Sequence, residues 1–376
     1  MNKTNLRKYI LPTVFFGLLF LISAATVFLP KRDYSVNEKR YLAEFPKFSA
    51  HSVSDGEFQD GLENYLCDHI VGRDFFVGLN AYFSLAMGRN AASDIYKCRD
   101  GYLINAPKET DTQIFEKNLT RFEKFTENTG VPSMLMLVPT AGYIMESKLP
   151  EFHAPYRDAE LFSLASELTP SIAFADARNT LFEGTANGRQ MYYRTDHHLT
   201  SCGSYALYSL FCGVSGLTCP PAESYSVKTY GGFCGTTKSS SGYWLTPDDD
   251  VELWSIGDNV SVTVDDGGKV KKSDSLFFTQ HLKDKDKYPV FLDGNHALVK
   301  IENPSAPENS ILIIKDSFAQ CFAPFLSHNF KEVYMIDLRY YRKSVSDFVA
   351  ENNIGEILYM YGIDSLLTDT NSAWLR

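Results

Sequence analysis

The spacing of apolar positions divides the chain into regions of different character. From Ile10 to Leu29 an uncharged, largely apolar run has no polar face. As a helix it would rise about 30 Å, enough to cross the hydrocarbon core of a bilayer. The stretch "RDYSVNEKRYLAEFPKFSAHSVSDG" has no sustained period and many turn formers, and predicts an extended segment. Helical spacing returns between Phe58 and Gly88, with Gly72 marking a break between two helices. "DIYKCRDGYLIN", Asp94 to Asn105, predicts a hairpin turning at Arg99, Asp100 and Gly101.

From there the period alternates. Phe115, Leu119, Phe122 and Phe125 share one helical face, and Gly130 supplies the stop. "PSMLMLVPT" reads as a buried strand, Asp158 to Leu168 as a helix, "PSIAFADAR" as a strand, and Ser201 to Gly213 as a helix. Residues 225 to 305 change character. "VELWSI", "VSVTVDDGGKV", "YPVFLD" and "HALVKIE" are short strand-like runs parted by turns, a β-rich insertion. Alternation resumes in "SILIIKDSFAQCFAPFL", "KEVYMIDLRYY" and "IGEILYMYG". Apolar strands alternating with helices predict a mostly parallel sheet covered on both faces.

Charge orients the first segment. Lys3, Arg7, Lys8 and the amino group precede the apolar run, whereas Lys31 and Arg32 follow it. This bias sets the amino terminus in the cytoplasm and everything after Pro30 outside, on a single anchor. The competing reading is a cleaved signal peptide, for which "SAAT", Ser23 to Thr26, offers small residues. The formal net charge of −10 and the absence of a polybasic tract exclude nucleic acid as a partner. The 27 Phe and 22 Tyr are first of all core and interface residues, although such rings also stack on sugar faces. Seven cysteines, with no CxxC spacing, allow up to three disulfides in an oxidising compartment or a set of small buried thiols.

Two stretches carry candidate chemistry. In "ILIIKDSF" a buried strand ends at Lys315, Asp316 and Ser317, and a helix-compatible run begins at Phe318. Open α/β sheets bind ligands beyond the carboxyl ends of their strands. A serine there has an exposed hydroxyl and an N–H suited to a developing oxyanion, unless it serves only as a helix N-cap. A nucleophilic serine needs a base. "RTDHHLT" supplies one: in an extended segment Asp196 and His198 share a face while His197 points away. An acid behind an imidazole suits a triad. A polar turn without chemistry, or a metal site, are the other readings; two adjacent histidines on opposite faces fit a single ion poorly, and no HxH, HExxH or CxxC set accompanies them.

With these residues in view, Asp196-His197-His198-Leu199-Thr200 resembles the signature of the DHHW family of extracytoplasmic proteins. That family is similar to the SGNH-hydrolase-like domains of alginate O-acetylation proteins, in which an Asp-x-His pair precedes a serine in a GDS-like turn. "NEKRYLAEFPKF", "DHIVGRDFF", "GYLI", "VPTAGYIMESKLP", "GGFCGTTKSSSGY", "KDSF" and "VYMIDLRYY" extend the resemblance from about Tyr34 to the end. It implies Ser317 as nucleophile, His198 as base and Asp196 as its orienter, with Arg339 and Lys238 as candidates for binding substrate or steadying negative charge. Leu199 replaces the family's tryptophan, removing an aromatic surface beside the pair, and Lys315 stands where GDS enzymes have glycine, crowding the turn.

The expected architecture is α/β: a flavodoxin-like, SGNH-type three-layer sandwich with a β-rich insertion and an amino-terminal transmembrane helix. Residues 1–30 form the cytoplasmic tip and anchor, 31–105 an extended and helical segment, and 106–376 the SGNH-like domain with its insertion at about 225–305. The expected function is O-acetylation of a cell-wall or secreted polysaccharide through an acyl-Ser317 intermediate, without metal or cofactor. The resemblance implies an acyl donor delivered by a multi-span membrane acyltransferase. A carbohydrate esterase with the same triad, and a non-catalytic glycan-binding scaffold, are the alternatives.

Overall fold

The computed structural model describes every residue except 1, 2, 36, 39, 109, 110 and 258, and only the backbone of residues 3–7. The first two residues of the expected cytoplasmic tip therefore lie outside the described residues. The chain forms two compact units, one of residues 1–93 and 239–244, the other of residues 94–238 and 245–376.

The smaller unit opens with the helix Lys3–Phe28, within which Lys8–Phe28 is long and apolar enough to cross a membrane. The helices Glu57–His69 and Arg73–Ala86 follow, parted as expected at Gly72, whose φ of +75° is the left-handed conformation that favours glycine. Asp68 at the end of the first of these receives both guanidinium arms of Arg40, at 2.5 and 2.8 Å. That pairing holds its carboxyl down at about 2.

The strands of the larger unit are β1 (Ile95–Lys97), β2 (Leu103–Asn105), β3 (Ser133–Val138), β4 (Ala173–Asp176), β5 (Ser226–Phe233), β6 (Asp249–Ser255), β7 (Ser261–Asp266), β8 (Lys269–Ser273), β9 (Leu298–Glu302), β10 (Glu308–Lys315), β11 (Phe330–Ile336) and β12 (Glu356–Gly362). β1 and β2 make the expected hairpin, and β5 and β6 pair by themselves. The remaining eight form one sheet in the order β8-β7-β9-β11-β10-β12-β3-β4. Its right-hand part, β11-β10-β12-β3-β4, is parallel throughout; β9, β7 and β8 extend it antiparallel. Most of the "insertion" strands therefore widen the main sheet. "YPVFLD" corrects the expectation: Tyr288–Val290 is a 3-10 turn, because Pro289 has no N–H for a ladder and Val290 N–H bonds back to Lys287 at 2.9 Å.

β3 and the apolar stretch of β10 are buried on both faces, which is why they read as unbroken apolar runs. On one face Leu135, Leu137, Leu312, Ile314 and Tyr359 pack against Phe115, Leu119 and Phe122 of the helix Gln113–Thr129. The Phe122 ring stacks on Tyr359 with centroids 4.5 Å apart. The helices Ala177–Ala186, Ser201–Ser215 and Ala319–Leu326 pack among the other elements.

The parallel order carries a clue to the site. Counted from β10, the strands β10, β11, β12, β3 and β4 lie in the order second-first-third-fourth-fifth, the doubly wound flavodoxin order with the chain's start moved. The topological switch point falls between β10 and β12. Residues after β10 are thus the ones to face a crevice, and this rotation of the chain puts elements usually at its end ahead of β10.

Candidate active site

Ser317 follows β10 at this switch point. Asp316 shapes the turn: one carboxylate oxygen accepts the Phe318 N–H at 2.9 Å, and the other accepts the Gly362 N–H at the end of β12 at 2.8 Å. Burial raises the Asp316 carboxyl above its ordinary value. Ser317 is not a helix cap. The helix Ala319–Leu326 begins beyond it without a side-chain cap, and the Ser317 hydroxyl instead lies 2.7 Å from His198 Nε2. Among the described residues its N–H donates to no acceptor. It is therefore available to an oxygen bound beside the hydroxyl.

Asp196 and His198 come together by a different route from the expected extended alternation. Residues 193–198 form a loop closed by Tyr193 N–H to His198 O at 3.1 Å and by the Tyr192–Leu199 bridge. Asp196 Oδ1 accepts the His198 N–H at 3.0 Å, an Asx-type turn, and meets His198 Nδ1 at 2.5 Å. His197 does not point away. Its ring centroid is 3.9 Å from that of His198, and its Nδ1 is 3.0 Å from Thr236 Oγ1. A tight turn brings neighbouring side chains together where a pleated strand would separate them.

Asp196 Oδ2 accepts the N–H and the hydroxyl of Thr236, both at 2.7 Å. Its two oxygens thus hold four donors, the full capacity of a carboxylate. Burial opposes ionisation of this carboxyl, yet the charges of His198 and His197 and these hydrogen bonds keep it well below the usual range. Proton counting then assigns the neutral histidine: Nδ1–H donates to Asp196, so Nε2 carries the lone pair facing Ser317. The same count makes His197 Nδ1–H a donor to Thr236, whose only proton is committed to Asp196. Asp196, His197 and His198 also bring three ligand-type atoms within 4.8 Å. An ion there would have to displace hydrogen bonds from a saturated carboxylate.

Two supporting residues carried no sequence signal strong enough to find them. Tyr288 stacks on the His198 ring, centroids 3.9 Å apart and 12° from parallel, and donates its hydroxyl to Ser317 O at 3.0 Å. Thr236 lies in the quoted "GGFCGTTKSSSGY", where Gly235 was the available hint. A Cβ at Gly235 would lie 2.3 Å from Thr195 O and 2.5 Å from Asp196 Cβ, so only glycine lets this loop reach the carboxylate.

The other candidates sit further out. Arg339 grips Asp337 in a fork, at 2.9 and 2.6 Å; despite burial, that partner raises its pKa. Asp337 in turn lies 3.3 Å from Lys315 Nζ, so Arg339 connects to the Ser317 turn through two residues. Lys238 donates to Asp248 at 2.5 Å. Lys315 does not crowd the turn: its side chain is buried, its Nζ bonds Asn295 Oδ1 at 2.8 Å, and burial lowers it to about 8. Leu199 is 1% exposed and faces the core, so its exchange for tryptophan alters packing and not the site's surface. All seven cysteines are free thiols; burial raises Cys321 to about 11 and Cys98 and Cys212 to about 12.

A narrow cleft at the site is lined by Asn105, Thr140, His197, Phe318, Gly362 and Asp364, among others. Thr140, Ile363 and Asp364 are shared with a cavity of about 460 Å³ that continues past Lys108, Tyr156 and Leu161. Asp364, in the first turn after β12, is raised by burial, and among the described residues no hydrogen bond reaches its carboxylate.

The fold is α/β, with a candidate site at the carboxyl end of a parallel strand, and it is similar to SGNH-type proteins. The resemblance read from the residues holds in comparison with known proteins. The chain matches the DHHW protein family over residues 180–336 and the SGNH hydrolase-like domain of the acetyltransferase AlgX over residues 99–211. A DHHW family protein from Eubacterium siraeum shares its fold with a TM-score of 0.63 at 22% identity, over 76% of this chain and 97% of that one. PatB1 of Bacillus cereus, solved with a sulfonyl adduct, gives 0.63 at 20% identity, over 75% of this chain and 100% of that one. No curated protein matches the chain.

Proposed function

We propose that this protein is an extracytoplasmic serine O-acyltransferase that acetylates a polysaccharide, held to the membrane by Lys8–Phe28 with its amino terminus in the cytoplasm. The observation that carries the reading is the unbroken line Ser317 Oγ–His198 Nε2–His198 Nδ1–Asp196 Oδ1, with steps of 2.7 and 2.5 Å across the two hydrogen bonds. The match to an acetyltransferase domain over residues 99–211 supports the acyl group's identity.

Ser317 Oγ attacks the carbonyl carbon of an acyl donor while its proton passes to His198 Nε2. The Ser317 N–H faces the resulting oxyanion, and Asp196 steadies the imidazolium. The bond to the donor's leaving group breaks as that group takes the proton back from His198, leaving acyl-Ser317. A sugar hydroxyl then gives its proton to His198 Nε2 and attacks the ester, and Ser317 leaves with that proton. The acceptor's room is the cleft and the adjoining cavity, whose size falls within the range of small-ligand sites, about 300–1,000 Å³. Arg339 acts through Asp337 and Lys315 on the shape of the turn, and Lys238 through Asp248 on the loop that carries Thr236. Donor supply by a multi-span membrane acyltransferase would fit a site on the outer side.

The test uses the full chain in detergent with an activated acetyl ester, reading intact mass and ester turnover beside Ser317→Ala and His198→Ala. An acetyl adduct mapped to Ser317, with turnover lost in both variants, is the expected result. Oligosaccharide acceptors then separate transfer from hydrolysis to an esterase's products. A folded protein giving neither adduct nor turnover would leave the glycan-binding alternative in its place.

A further inference from the structure

The helix Arg73–Ala86 is packed the wrong way round for a water-facing surface. It buries its small residues, Gly78, Ala81 and Ser84. It exposes several of its large ones, with Val77, Tyr82 and Leu85 half-buried: Phe75 is 54% exposed, Leu79 50% and Phe83 63%, with Met87 just beyond at 68%. These four recur every fourth residue and make one apolar stripe about 18 Å long. A surface helix in water shows the reverse, apolar inward and polar outward. The inward side is fitted tightly, since a Cβ at Gly78 would lie 2.8 Å from the Trp244 ring and 2.9 Å from Gly242 O. Small residues at contacts and large apolar ones outward are the pattern of a helix whose outer solvent is hydrocarbon.

The same unit shows which hydrocarbon. The Val71 N–H donates to Thr26 Oγ1 at 3.1 Å, and Arg32 lies 3.7 Å from Asp74. The start of this helix is therefore tied to the carboxyl end of the apolar helix Lys8–Phe28. We propose that Arg73–Ala86 is an interfacial helix, lying along the outer membrane surface with Phe75, Leu79, Phe83 and Met87 in the lipid, and that it fixes this unit against the bilayer beside the anchor. Phe75 meets Trp244 with ring centroids 5.3 Å apart, an aromatic pair of the kind favoured at the level of the headgroups. The stripe carries no cation, so neutral lipid is sufficient and salt has little effect.

The proposal rests on the anchor reading, and the experiment separates the two. The full chain is placed in phosphatidylcholine nanodiscs with brominated acyl chains, and tryptophan emission is compared with that in unbrominated lipid. With Trp254→Phe and Trp374→Phe, Trp244 is the sole reporter among the three tryptophans. With Trp244→Phe added, Phe83→Trp reports on the far end of the stripe and, in a separate protein, Phe16→Trp reports on the anchor. Quenching of Trp244, Phe83→Trp and Phe16→Trp alike, unchanged in high salt, is expected. Quenching of Phe16→Trp with water-like, unquenched emission from Phe83→Trp overturns the proposal and leaves the anchor standing. Absence of quenching in all three overturns both.

Discussion

Replacing Thr236 by valine probes the support behind the proposed triad. The change keeps the side chain's shape and the backbone N–H to Asp196 Oδ2, and removes the hydroxyl that donates to Asp196 at 2.7 Å and accepts from His197 Nδ1 at 3.0 Å. A hydrogen bond to an ionised group contributes about 1.5–3 kcal/mol. Water cannot easily replace it, because Asp196 is 2% exposed. Three donors remain on the carboxylate, which is held far below its ordinary value, so Asp196 stays ionised at neutral pH. The loss is therefore one of position, about 1–2 kcal/mol in the barrier, or roughly 5–30-fold in kcat/KM. Asp196→Asn removes the charge itself and permits the wrong imidazole tautomer, for which about 10⁴-fold is expected. Initial rates with the activated acetyl ester, with melting curves as a control for folding, give both values. Thr236→Val as crippled as Asp196→Asn would show that the hydroxyl takes part in the chemistry. Full activity in both variants would remove Asp196 from its role.

Lys315 makes stability depend on alkaline pH. Its folded value of about 8 lies below the ordinary 10.5, so between these pH values the unfolded chain binds the proton and the folded one does not. Stability from this group is full above 10.5 and is lost as pH falls through 8, about 3 kcal/mol in all. Lys315→Met should flatten that rise in denaturant titrations from pH 7 to 10.5; an unchanged slope would refute the burial argument. At the acceptor side, Asp364→Asn should raise KM for a saccharide acceptor about tenfold, the worth of one hydrogen bond to a charged group. An unchanged KM in acetyl-transfer assays would remove the cavity from the acceptor's path.

The local content of the fold was legible in the sequence. The apolar run from Ile10, the break at Gly72, the hairpin at Asp100 and the alternation of strands and helices all follow from periodicity and from residues with restricted or unusual backbone preferences. Asp196, His198 and Ser317 were legible as candidates because few residue types can serve as nucleophile, base and acid, and one of them stood at a strand's carboxyl end. Tertiary structure alone decided the rest. The strand order, not the spacing, brings residues on either side of the β5–β9 region to one switch point. Only the fold shows that Tyr288 lies on His198, that Thr236 completes Asp196 and that Lys315 turns into the core. The helix Arg73–Ala86 shows the reason most clearly. Period reveals that a helix has two faces, but which face is inward depends on what packs against it, and that is a property of the whole chain and its solvent.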